Sequence, residues 1–404
     1  MDEAWEAIRR GVGSAAACPV ERVSLAEASG RVLARPVISD DDYPAFDRSM
    51  MDGFAVRSAD CAASGARLRN RGLIIAGQSG QTPLGNGEAM QINTGAPLPA
   101  GADAVIRIED CAIEGDSVTL ATVVKAGSNV SIGATDRRKG DTILTPPLVL
   151  GPAHSAAAAT AGAATVEVAK RVEVAIVSTG DELVRAGEPR RRGQIYDSNG
   201  PMLTALMREF GASPREPTFA PDEADALAGH LREALTCPIV LTVGGMSMGT
   251  HDLVPQALAA LGVEWQFHGV YMRPGKPAAY GVGPKGQQIF GLPGNPVSAF
   301  VCAWLFARMA VRSRLGFEAV PPTVLKAKAA VDFKAHRDAR PAYIPASVSS
   351  DPQEGLVARP TRWSGSSDPF GLAEANALLY LANPTEANPA GSLVGIILTS
   401  PSID

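Results

Sequence analysis

The sequence predicts a multidomain protein of the α/β plus β class. A parallel sheet covered by helices occupies the middle of the chain, a β-rich unit precedes it and a β-type tail follows it. Three observations carry this prediction. The 404 residues allow two to four domains at roughly 150 residues each. Between about 171 and 315, apolar runs of strand length alternate with segments of helix length, as βαβ units require. On either side of that region, short β-type runs are broken by turns, for which the chain carries 41 glycines and 31 prolines.

Taken in order, residues 1–40 read as helical, with a first helix over Asp2–Gly11 and a second around Ser24–Leu33, where Ser24 and Glu27 have capping-box spacing. From about 46 to 141 the runs Leu73–Ala76, Met90–Asn93, Ala104–Ile108 and Val118–Val124 predict strands. Pro146-Pro147 and Gly151-Pro152 punctuate the chain, and the alanine-rich stretch Ala153–Ala169 predicts a packed helix. Val172–Val177 and Ile239–Val243 read as strands buried on both faces. Helices are expected over Pro201–Phe210, Asp222–Leu235, Asp252–Leu261 and Val297–Arg314. Val263–Val270, Ala278–Val282 and Gln288–Gly291 read as extended, and in the tail Val394–Leu398 is the clearest strand.

Composition narrows the function. Net charge is −5 and the pI about 5.7, without the basic stripe of a nucleic-acid binder, and aromatics are 5%, too few for stacking platforms. The run Arg190-Arg191-Arg192 reads as a solvated loop, with local binding of an anionic small molecule as the other reading. The five cysteines form no C-x-x-C and the five histidines no close pair, which argues against structural zinc and for a reducing, cytoplasmic setting. The alanine-rich stretch contains His154 and Glu167 and does not read as a membrane span.

Chemistry concentrates at strand ends of the α/β region. Val177-Ser178-Thr179-Gly180-Asp181-Glu182-Leu183, Thr242–Asp252 (with Gly244, Gly245 and Ser247) and Gly291–Ser298 (with Gly294 and Asn295) each place small residues where a strand gives way to a helix. Glycine lets backbone approach a ligand closely, and amide groups at a helix start attract anions. Each loop taken singly reads as a tight turn, and three in one sheet set a phosphate-bearing ligand beside that reading, although neither G-x-x-x-x-G-K-[ST] nor G-x-G-x-x-G is present. In Arg273-Pro274-Gly275-Lys276-Pro277, two prolines stiffen a turn that offers two cations to one anion. Asp181, Glu182, Asp197, Asp222 and Asp252 crowd the same loops. A carboxylate near a phosphate costs about 4 kcal/mol per charge pair at 4 Å and an effective dielectric of 20, a conflict that a bridging divalent cation resolves. N-capping is the other reading, foremost for Asp197 and Asp222. Phe46–Ala55 and Ile92–Pro99 read from physics alone as loops without a task.

Together these segments resemble the molybdopterin molybdenumtransferase family, MoeA in bacteria and the E domain of gephyrin-type proteins. The resemblance rests on Phe46–Ala55, Asn93–Pro99, Ser178–Leu183, Gly193–Asn199, Gly244–Asp252, Arg273–Pro277 and Gly291–Ala299, in family order. Some positions depart from the family pattern. Thr250 stands where an acidic residue is frequent. Asn129–Asp136 lacks the family's Arg and Glu, with Arg137-Arg138 following at once. Ala339–Pro345 lacks a Glu and an Arg.

The resemblance implies a helical linker domain (1–45 with 142–170), an inserted β-rich domain (46–141), a three-layer α/β/α molybdopterin-binding domain (171–320) and a C-terminal β-barrel-like domain (321–404). It implies a homodimer in which Asp52 and Thr94 act across the interface. It also implies Mg²⁺-dependent insertion of molybdate into adenylylated molybdopterin with release of AMP. A molybdopterin-nucleotide pyrophosphatase and a dimeric scaffold are the alternatives. Catalytic roles would fall to Asp52, Thr94, Asp252, Lys276 and Arg273, and the metal to Asp252 with Asp222. Substrate binding would fall to Asp136, Ser178, Gly180, Asp181, Glu182, Asp197, Asn199, Gly244, Gly245, Ser247, Pro277, Gly294, Asn295, Ser298, Arg340, Ser366 and Ser367. An upstream adenylyltransferase and downstream molybdoenzymes are the expected partners, with no nucleic acid or membrane.

Overall fold

In the computed structural model, residues 1–13, 15–77, 82–221, 223–246 and 253–400 are described. The chain divides into two compact units. One comprises Met1–Glu21, Gly30–Ala34 and Val168–Asp404, the other Arg22–Ser29 and Arg35–Glu167.

The first unit is built on a sheet in which the strand Glu173–Thr179 lies one place in from an edge. It pairs in parallel with Ile239–Val243, which pairs in parallel with Gln288–Leu292. On its other side lie the short parallel strands Ser213–Pro214 and Thr218–Ala220. Both faces are covered, and the strand pleat assigns alternate residues to each. Val174, Ile176, Leu241 and Phe290 pack with Leu203, Met207 and Phe306 on one side. Ala175, Val177, Val240 and Ile289 pack with Leu227, Leu231 and Leu258 on the other. The three-layer α/β/α arrangement follows from this double burial.

The sheet is mixed rather than wholly parallel. Ala279–Val282 and Glu264–His268 join it antiparallel. No helix separates these strands from one another or from Gln288–Leu292, and links this short cannot make a parallel crossover. The helix after Gln288–Leu292 runs from Pro296 to Arg314 as expected, with one π-helical turn at Ala303–Ala307. Beyond it, Leu325–Ala329, Ala342–Asp351, Gly355–Pro360, Ala377–Leu381 and Leu393–Leu398 close into a barrel. Closure leaves no edge strand exposed, and the interior is filled by Ala327, Val348, Leu379 and Ile396.

Helix Asp2–Gly13 buries Ala4, Ile8 and Val12, the i, i+4, i+8 face its sequence predicts. The second predicted helix is absent. Only a 3₁₀ turn at Leu25–Glu27 forms, between strands Val20–Ser24 and Val32–Leu33. Ser24 still donates its hydroxyl (2.7 Å) and backbone N–H (3.3 Å) to Glu27. The capping spacing was therefore real, but β-branched Val20, Val23 and Val32 favour strands, and Leu33 pairs with Val168. The alanine-rich helix is also shorter than expected. It covers Pro152–Thr160, stops at Gly162 (φ +85°), and Thr165–Ala169 is a strand because its β-branched residues alternate.

The second unit carries a six-stranded sheet. Its strand Gly53–Val56, which the sequence reading left inside a loop, lies fully buried between Glu88–Ile92 and Ala104–Arg107. Gly53 is required there. A Cβ would stand 1.9 Å from the carbonyl oxygen of Ile106.

Gly11 makes a comparable close approach in the first unit. A Cβ on it would meet the Tyr280 hydroxyl at 2.0 Å, and the Gly11 carbonyl accepts from Gln288 Nε2 at 3.3 Å. Tyr280 in turn donates to Gln288 Oε1. Gly→Ala in an open helix stabilises by about 1 kcal/mol. Gly11→Ala should instead destabilise by roughly 1–3 kcal/mol through overpacking, read as a lower denaturation midpoint at unchanged slope.

Candidate functional site

The three parallel strands end level with one another, because Ser178 pairs with Val243 and Val243 with Leu292. Their following loops therefore open into one cleft of about 1150 Å³, at the carboxyl ends of the strands where open α/β sheets bind ligands. Gly180 (φ +140°), Gly244 (φ +85°) and Gly245 (φ +59°) adopt backbone conformations that side chains resist. Space is equally restrictive. A Cβ on Gly244 would lie 2.7 Å from the Thr179 carbonyl oxygen, and one on Gly245 would lie 2.8 Å from a Val254 methyl. Asn199 ties two of the loops together, donating Nδ2–H to the Gly294 carbonyl at 2.7 Å, while its buried Oδ1 has no partner among the described residues.

Asp197 is buried at this cleft, and its carboxylate accepts the amides of Asn199 and Gly200 at 3.0 Å each. This is the capping role that its position before a helix allowed. Glu182 folds back over Gly180 and lines the cleft. Asp181 is exposed. Ser178 lies within its strand, 1% exposed, with its hydroxyl unpartnered among the described residues, whereas Thr179 faces the cleft. Asp222, Ser247, Thr250 and Asp252 fall outside the described residues.

A second cavity of about 380 Å³ shares Pro277, Pro293 and Asn295 with the first. Arg273, Lys276 and Arg340 line it, together with Ser298 and Ser366, and no carboxylate does so among the described residues. The α/β layer and the barrel build it jointly. Arg273 donates its backbone N–H to Pro341 (2.9 Å) and accepts from Tyr343 (2.8 Å). Asn295 donates to the Ser366 hydroxyl at 3.0 Å, and Val297 to the Ser366 carbonyl at 3.0 Å. Ser367 lines the larger cleft. Lys276 is exposed and has no ion pair among the described residues. Arg340 is gripped by Asp338, whose carboxyl is held well below its usual range chiefly by the Arg340 side-chain hydrogen bonds.

In the other unit, Asp52 accepts the backbone N–H (2.6 Å) and hydroxyl (2.8 Å) of Thr94, which lowers its pKa. The two segments without a task are thus joined by one carboxylate. Asp47 makes a similar tie, accepting from Gly133 at 2.7 Å. Asp136 is exposed in the 129–136 loop and donates its N–H to the Tyr43 carbonyl.

The sequence reading missed Tyr196, Trp363 and Tyr343 as lining residues and undervalued Arg190. Arg190 lines the larger cleft with its guanidinium 5.2 Å from the Tyr196 ring centroid, so it is not merely solvated. Its place at the end of a basic run next to Ile195-Tyr196 was the available signal. Nothing in the local pattern around Trp363 marked it.

The chain matches three family models along its length. They are the MoeA N-terminal region (domains I and II) over residues 1–162, a probable molybdopterin-binding domain over 175–313, and the MoeA C-terminal region (domain IV) over 326–399. It is 33% identical over 400 residues to a molybdopterin molybdenumtransferase of Staphylococcus aureus strain Mu50, covering 98% of this chain and 94% of that protein. It is 30% identical over 383 residues to one of Staphylococcus epidermidis, covering 93% and 90%. A crystal structure of the molybdopterin biosynthesis MoeA protein from Pyrococcus horikoshii superposes with a TM-score of 0.83 at 27% identity, covering 98% of each chain. With identity and fold extending over nearly the whole length, the chain belongs to the molybdopterin molybdenumtransferase family.

Proposed function

We propose that this protein is an enzyme that inserts molybdenum into molybdopterin, using adenylylated molybdopterin and molybdate and releasing AMP. The observation that carries the reading is the pair of adjoining cavities, one lined by glycine loops and one by Arg273, Lys276 and Arg340. A phosphate-bearing pterin nucleotide suits the first, where amide N–H groups at helix starts donate to anionic oxygens. A compact oxyanion suits the second, where three cations converge without a lining carboxylate among the described residues. Pro277, Pro293 and Asn295 border both, so the two substrates would meet there.

In this scheme the amides of Gly244, Gly245, Gly294 and Asn295 receive phosphate oxygens, and Ser298, Ser366 and Ser367 donate hydrogen bonds. Lys276 and Arg273 hold molybdate and offset charge as AMP departs. Water adds to the phosphoanhydride, and its P–O bond breaks to give AMP and the phosphorylated pterin. The dithiol then forms two Mo–S bonds as molybdate loses one oxygen, which leaves as water with both thiol protons. Mg²⁺ dependence is part of the proposal and rests on Asp252 and Asp222. Among the described residues no group of three or more His, Cys, Asp or Glu side chains could hold a metal ion, so no step is assigned to the cation. When bound, it would neutralise phosphate charge beside the acidic loop residues.

The four-domain division given above, the cytoplasmic setting and the homodimer belong to the same proposal. Supporting the dimer, the second unit exposes Phe46, Met50, Met51 and Ile132 beside Asp52, an apolar group a partner copy would cover. Among the described residues, no helix is long and apolar enough to cross a membrane.

Three outcomes follow. AMP release from adenylylated molybdopterin should depend on molybdate in a discontinuous nucleotide assay. Release that ignores molybdate would favour a pyrophosphatase. Lys276→Gln should raise the KM for molybdate by about 10- to 100-fold, the equivalent of one charge-assisted hydrogen bond of roughly 1.5–3 kcal/mol, with the nucleotide KM little changed. Thr94→Val removes one of two bonds that favour the Asp52 carboxylate over its acid, so the Asp52 pKa should rise toward the ordinary carboxylate value in an NMR titration. Because the folded-state pKa is depressed, this bond's contribution is present above the unfolded pKa and is lost as pH falls through the folded one.

A further inference from the structure

Arg273 and Arg340 line the cationic cavity from different segments. Asp338 clasps Arg340, accepting from Nε on both carboxylate oxygens (2.9 and 3.0 Å) and from the Arg340 backbone N–H at 3.1 Å. The backbone N–H of Asp338 donates to Nδ1 of His336 at 2.9 Å. The other ring nitrogen, Nε2, stands 2.9 Å from Nη1 of Arg273. One short segment, 336–340, therefore touches both guanidiniums, while His336 and Asp338 themselves stay off the cavity wall.

The two arginines differ in how far they are satisfied. Arg340 has its carboxylate. Arg273 has a buried Nε without a partner among the described residues, and its Nη1 faces a ring that cannot serve two donors at once. A neutral imidazole carries one lone pair and one N–H. If Nδ1 accepts from Asp338, Nε2 carries the proton and presents it to the guanidinium. Two donors then converge, and an oxyanion able to accept from Arg273 would relieve the contact.

We propose that Asp338 and His336 are positioning residues for the oxyanion site, Asp338 locking Arg340 as a wall and His336 placing Arg273 with donors open. This inference rests on the molybdate reading of that cavity. It also accounts for a carboxylate partner to Arg340 in a chain where the family's downstream Glu is replaced by Ala342, a buried barrel residue.

The test is steady-state kinetics on the full chain, with molybdate varied at saturating adenylylated molybdopterin and the reverse. Positioning and simple charge predict opposite signs. Removing the Asp338 charge leaves Arg340 more attractive to an anion, so Coulomb forces alone would lower the molybdate KM in Asp338→Asn. Loss of positioning would raise it, by about tenfold, with kcat within about twofold and the nucleotide KM unchanged. Asp338→Glu should recover most of the loss. His336→Ala should shift the molybdate KM the same way, and His336→Gln, whose side-chain amide N–H can take the place of the ring Nε2–H against Arg273, should restore it. Arg337→Gln, on the exposed neighbour, should match the parent. An unchanged or lowered molybdate KM in Asp338→Asn, with melting temperature preserved, overturns the proposal. Arg273→Gln is the separating arm. If it leaves the molybdate dependence intact, the oxyanion reading of the cavity fails as well.

Discussion

The site depends on the level ending of three parallel strands. Register alone brings Ser178, Val243 and Leu292 to a common height, and each strand there hands over to a loop of small residues. Side chains at those turns would collide with their neighbours, with the Thr179 backbone at Gly244 and the Val254 side chain at Gly245. Close packing of the three turns and an open floor for a ligand are thus the same requirement. The Asn199 side chain, reaching to Gly294, holds two of the turns at a fixed separation.

Charge is partitioned between the two cavities. The larger cleft is lined by glycine amides, the carboxylates of Glu182 and Asp197, and Arg190 as its cation among the described residues. The smaller one collects three cations. A substrate pair of one large phosphorylated ring system and one compact dianion would be sorted by this division before any chemistry begins. Arg273 contributes through its backbone as much as its charge, since two hydrogen bonds to the barrel fix where its loop lies.

Most of the α/β framework was legible because its strands are continuous apolar runs and its helices are periodic. What misled the reading was competition between levels. Alanine-rich sequence and a capping pair suggested helix at 161–169 and 24–33, but β-branched residues and the pairing of Leu33 with Val168 favoured strands. The antiparallel edge was missed because burial resembles that of parallel strands, and connection length, not hydrophobicity, decides direction. At the site, glycine and proline patterns located the loops. The Arg340 clasp could not be read, since Asp338 and His336 in sequence are only polar residues in a turn. The strand Gly53–Val56 was hidden by its length of four residues, too short for periodicity to register.

The barrel is a half-mould rather than an appendage. Arg340, Ala342, Tyr343, Ile344, Trp363 and Ser366 supply one side of the small cavity, and backbone bonds from Pro341, Tyr343 and Ser366 to Arg273 and Val297 set the opposite side. Most of the glycine-lined cleft, by contrast, comes from residues 179–296. The two cavities therefore have separate architectural ownership. Changes in the C-terminal segment would therefore reshape the small cavity while the glycine-lined cleft stays as it is.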